Sequence, residues 1–62
     1  MQRKLREKRK NRNLTIKEMA NLLGYKSQST YAKKERGEIV ISTDEAIKIC
    51  LILDCPFEEI FL

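Results

Sequence analysis

The side chains best placed to do chemistry in this chain stand between its only two glycines, in the stretch GYKSQSTYAKKERG at residues 24–37. Gln28 carries an amide that donates and accepts, Ser29 a hydroxyl that does either, and Lys33 a cation about one helical turn further on. Residues four apart share a helix face, so Ser29 and Lys33 would lie side by side with Gln28 at their N-terminal edge. Such a set suits base-pair edges: Gln pairs bidentately with adenine, Lys donates to guanine, and Ser serves at either. Lys26 and Arg36 flank the set and suit phosphates, whose contacts position a protein without reading sequence. The chemistry on offer is recognition, not bond making.

Two other groupings invite a catalytic or metal reading and are better taken as structural. Cys50 and Cys55 stand five apart in a chain without histidine, and two thiols cannot complete a tetrahedral zinc site. Cys50 falls on the apolar stripe of its helix, where a free cysteine behaves as a small hydrophobe. A cysteine-rich site shared across a dimer is the alternative. Glu58 and Glu59 are neighbours, point about 100° apart on a helix, and have no nucleophile or base beside them. They read as a solvated face that favours a helix start. No phosphate-binding loop or nucleophile motif occurs, so no enzyme, cofactor or metal is expected.

Capping signals delimit the elements that must hold these side chains. TIKE at Thr15–Glu18 and STDE at Ser42–Glu45 fit the capping box, in which a hydroxyl takes one free N–H and the glutamate another. Gly24 and Gly37 suit the left-handed residue beyond a helix end, and Pro56 the first position of a last helix. Five helices are expected, over Gln2–Arg12, Ile16–Leu23, Gln28–Arg36, Thr43–Leu53 and Pro56–Phe61, with Ser27 capping the third. EIVIS at 38–42 alternates like a strand but has no partner, and is expected to be an extended linker. Ile16, Met19, Ala20, Leu22 and Leu23 recur at helical spacing, as do Ala46, Ile49, Cys50 and Leu53. Leu5, Leu14, Tyr31, Ile39, Ile41, Phe57 and Ile60 complete the expected core.

Sixty-two residues suit one domain, small enough that burial alone leaves it marginally stable. An apolar share of 42% is too high for a disordered tail. Charge is split along the chain. Residues 1–37 hold twelve Lys/Arg against Glu7, Glu18 and Glu35, a net of +9. Residues 38–62 hold Lys48 against six carboxylates, a net of −5. One end would then face a polyanion and the other solvent or a partner. MQRKLREKRK lacks the apolar region of a secretory signal, and no apolar run approaches the roughly 20 residues of a membrane span. A complete cytoplasmic protein is expected. Helix 1 offers only Met1 and Leu5 as an apolar face, too little for a membrane surface. RNA would favour exposed aromatic platforms, and three of the four aromatics are expected in the core.

The second and third helices, joined by a turn that begins at Gly24, form a helix-turn-helix. In that motif the second helix enters the DNA major groove and its N-terminal residues meet base edges. At this point the chain resembles the Cro/phage-repressor (XRE) class of regulators. The resemblance runs from Leu5 to Phe61 and rests on Arg9, Leu14-Thr15, Glu18 with Met19-Ala20, Leu23-Gly24, Glu35-x-Gly37 and the PFEEIF ending. It implies an all-α, five-helix, lambda-repressor-like domain that binds double-stranded operator DNA, usually as a homodimer, to repress or activate transcription. Its source would be bacterial or phage. By position, Gln28, Ser29 and Lys33 would read bases, and Thr15, Lys17, Ser27 and Arg36, with Lys26 beside them, would touch the backbone. Arg9 and Glu35 would form a structural ion pair joining helix 1 to helix 3.

Three departures stand out. The segment from Gly24 to Glu35 is one residue longer than the commonest family form, which leaves the register of the recognition helix open by one. Ile16 replaces a glutamine that often touches phosphate. Lys34 replaces an inward apolar residue, so its stem is expected along the core with the ammonium in solvent. ICLIL at 49–53 is apolar around most of its helix, which points to a dimer interface at Leu51 with Phe61 and Leu62. No small-molecule ligand is expected. The rival reading is a protein-interaction module, an antitoxin or adaptor on the same fold.

Overall fold

Side-chain caps open three of the five helices in the computed structural model, which describes residues 1–62. The chain forms α1 (Arg3–Asn11), α2 (Ile16–Leu22), α3 (Gln28–Glu35), α4 (Thr43–Leu53) and α5 (Phe57–Phe61), with no strand. Both capping boxes close. Thr15 Oγ1 accepts from the Glu18 N–H at 3.1 Å while Glu18 Oε1 accepts from the Thr15 N–H at 2.9 Å. Ser42 and Glu45 repeat the exchange at 3.2 and 2.9 Å. Ser27 Oγ caps α3 through the Ser29 N–H at 3.2 Å. Pro56 is the N-cap of α5 and not its first helical residue.

Gly24 and Gly37 take positive φ, +81° and +82°, as left-handed stops after α2 and α3. Gly37 has a second reason to lack a side chain. A Cβ there would meet the Met1 nitrogen at 3.2 Å, because the N-terminal residues pass over this turn. Gln2 N–H donates to Glu35 O at 2.8 Å beside it, fastening the start of α1 to the end of α3.

One core joins all five helices: Leu5 from α1, Met19 and Ala20 from α2, Leu23 after it, Tyr31 from α3, Ile49 and Leu53 from α4, and Ile60 from α5. Each large apolar side chain so buried contributes about 1.5–3 kcal/mol. Leu14, Ile16, Ile41 and Cys50 are half-buried around it. Three expected core residues lie outside. Leu22 is 57% exposed, because it sits about 100° around α2 from Leu23. Ile39 is carried outward by the turn after α3, and Phe57 lies exposed at the first turn of α5, its ring 5.1 Å from that of Phe61.

Candidate nucleic-acid interface

α3 presents a polar face opposite its buried one. Tyr31 and Glu35 point inward, while Ser29, Lys33 and Arg36, spaced four and three apart, are exposed on the far side with Gln28 at the helix start. The turn ends at Ser27, so Gln28 is the first helical residue and Ser29 the second. The Ser29 hydroxyl lies 2.8 Å from Ser27 Oγ, which orients both at the mouth of the helix. Lys33 has no acidic partner, nor has Lys26 in the turn or Lys17 in the first turn of α2. Thr15 is exposed but committed to its capping box. Arg36 differs from the other cations: its Nε donates to Glu38 Oε2 at 2.5 Å, and that pairing holds the Glu38 carboxyl below its ordinary range.

Behind this face lies the pair Arg9–Glu35. Arg9 Nε and Nη2 donate to the two Glu35 oxygens at 2.9 and 3.0 Å, and Nη1 donates to Leu14 O at 2.6 Å. The Tyr31 hydroxyl donates to Glu35 Oε2 at 2.6 Å. Both charged residues are buried, at 5% and 3% exposure. The hydrogen bonds to Glu35 raise the Arg9 pKa further, and burial with the same carboxylate raises that of Tyr31. No buried side-chain nitrogen or oxygen in the molecule lacks a partner.

Lys34 requires a correction. Its ammonium turns to a carboxylate and not to open solvent: the side chain is 11% exposed and Nζ lies 2.6 Å from Glu45 Oε2. The Tyr25 hydroxyl donates to the same oxygen, and Nζ lies 5.5 Å from the Tyr25 ring centroid. Burial works against ionisation of Glu45, but Lys34, Tyr25 and the Ser42 N–H overcome it and hold the carboxyl at about 2. Sequence reasoning used Glu45 only as a cap. The missed signal was arithmetic: a capping box occupies one carboxylate oxygen, and an inward lysine needs the other.

The cations of α1 divide by face. Lys4, Lys8 and Arg12, four apart, reach Leu62 O, Glu59 and Asp54 at 3.0, 3.4 and 3.4 Å. Arg3, Arg6 and Lys10 have no acidic partner and are exposed. Part of the basic half is therefore neutralised by the acidic half. Leu51 is 76% exposed beside Ile47, Pro56 and Phe57, around an open hollow of about 420 Å³ that Cys50, Cys55 and Asp54 also line. Phe61 is half-buried against the core, and Leu62 is exposed while its backbone oxygen accepts from Lys4 Nζ. The cysteines are free, and no group of three or more acidic or cysteine side chains is arranged to hold a metal. No helix is long and apolar enough to cross a membrane.

Five helices with an N-capped, outward-facing third define a DNA-binding helix-turn-helix, and a family model described as helix-turn-helix matches residues 5–60. The chain belongs to that family, in its Cro/phage-repressor (XRE) branch, and is a DNA-binding regulator of that kind. Searches of curated proteins and of solved structures gave no match.

Proposed function

We propose that the chain is a sequence-specific transcriptional regulator of repressor type that lays α3 in the major groove of operator DNA. It acts in the cytoplasm by binding, without catalysis. The observation that carries this is the outward face of α3. None of its side chains bonds to another helix, yet they combine base-pairing groups at the helix start with an unpaired cation one turn on. Gln28, Ser29 and Lys33 meet base edges. Lys17, Lys26 and Ser27 contact phosphates with Thr15 nearby, and Arg36 joins them once released from Glu38.

Two copies bind together through the apolar surface around Leu51. Ile47 and Phe57 are exposed beside it and extend the interface expected with Leu62, while Phe61 is half-buried. This surface belongs to the acidic half, so pairing through it leaves both basic faces free and sets the recognition helices about 34 Å apart. A mobility-shift titration with duplex from the DNA flanking the protein's own gene tests the reading. The expected complex is displaced by the same unlabelled duplex and resists an equal mass of random duplex. Equal displacement by both would leave only non-specific binding.

A further inference from the structure

Glu45 belongs to two devices at once. Its Oε1 completes the capping box of α4 through the Ser42 N–H, while its Oε2 holds Lys34 on α3 and Tyr25 in the turn before it. Apolar contact alone fixes α3 weakly, since Tyr31 is its one buried apolar side chain. The helix is instead held by two adjacent charges of opposite sign. Glu35 is drawn to Arg9 of α1 and Lys34 to Glu45 of α4. Consecutive residues project about 100° apart, so the two pairs pull on different sides of one helix and together stop it rolling about its axis. The outward face of α3 is aimed by that roll.

We propose that Glu45 is a positioning residue for DNA recognition. Acting through Lys34 and Tyr25, it sets the rotation of α3 and anchors the turn, and so decides which side chains meet base edges. This rests on α3 being the recognition helix. The substitution that isolates the role is Glu45→Gln. Glutamine serves in a capping box as glutamate does, so the start of α4 survives while the charge that holds Lys34 is lost. Lys34→Met removes the ammonium and keeps most of the stem.

Two readouts apply, both on protein shown to be folded by circular dichroism. Amide hydrogen exchange should accelerate across residues 31–36 in Glu45→Gln by about tenfold or more, with α1 and the first turn of α4 unchanged. The ratio of affinities for a duplex selected from a random pool and for random duplex should fall about tenfold, at an unchanged salt slope because no phosphate contact is lost. A merely structural glutamate would leave that ratio intact in the folded fraction. Combining Glu45→Gln with Lys34→Met should do no further harm to either readout. Should Glu45→Gln fail to fold, Lys34→Met carries the same two measurements, its capping box untouched. Wild-type exchange rates in α3 would overturn the proposal, as would an unchanged ratio in a protein that discriminates. A wild type with no preference at all removes the base-reading assignment instead, and exchange alone then decides the role of Glu45.

Discussion

Glu35 stands on the helix that carries Lys33, Lys34 and Arg36, yet its carboxylate is sealed from water and accepts from Arg9 twice and from Tyr31 once. A buried charge is tolerated only while its partners remain, so deleting one partner strands the other. Arg9→Ala and Glu35→Ala should each destabilise by about 3–5 kcal/mol. The double variant should lose much less than their sum. Urea denaturation of the three proteins checks this, and additive losses would mean the pair is not coupled. Glu45 makes a different prediction. Its folded pKa of about 2 lies below the ordinary 4.5, so its stabilisation is fully present above pH 4.5 and is lost as the pH falls toward 2. The linked loss is up to about 3 kcal/mol. Lys34→Met removes the largest favourable contact of that carboxylate and should flatten the acid limb. Urea midpoints measured from pH 5 to pH 2 should fall more steeply for wild type than for the variant, and parallel curves would contradict the assignment.

At the scale of elements, the proposed reading makes α3 the helix that meets DNA. Gln28→Ala and Lys33→Ala should each cost about 1–3 kcal/mol and relax preference at particular base pairs. Arg36→Ala should weaken all sequences alike, whereas Glu38→Ala frees Arg36 and should strengthen all of them. Binding assays on matched and single-substituted duplexes separate the two patterns. What the sequence disclosed about these elements was local. TIKE, STDE and the two glycines marked helix ends because a cap and its helix lie within a few residues, and α4 runs from Thr43 to Leu53 as its spacing predicts. Leu22 and Ile39 were misplaced because apolar type alone does not say how far around a helix, or how far along a turn, a side chain has been carried. The Lys34–Glu45 contact joins residues eleven apart on two helices, and no local rule reaches across that gap. Asn13 and Asp54 also adopt positive φ, at 59° and 51°, where asparagine and aspartate are tolerated but do not advertise the turn as glycine does.

Across the whole molecule, part of the basic N-terminal charge is paired with the acidic C-terminal half. The face of α1 with Lys4, Lys8 and Arg12 is paired with the C-terminal half, so the cations left for a polyanion are Arg3, Arg6 and Lys10 on α1 and Lys17, Lys26 and Lys33 on the helix-turn-helix. On α4 and the start of α5, Leu51, Ile47 and Phe57 are exposed together. Leu51→Lys should convert a dimer into a monomer in sedimentation equilibrium while thermal unfolding changes little, because the side chain is outside the core. Wild type that stays monomeric at hundreds of micromolar would rule out the interface. On the proposed reading, two copies present the outward face of α3 to base edges. Selection from a random duplex pool, run in parallel with wild type, Gln28→Ala and Lys33→Ala, tests it most directly. Wild type should enrich a two-fold symmetric site with half-sites centred about 10–10.5 base pairs apart, and each variant should lose preference at one position per half-site. Enrichment of no common sequence, or the same sequence for all three proteins, would contradict the account.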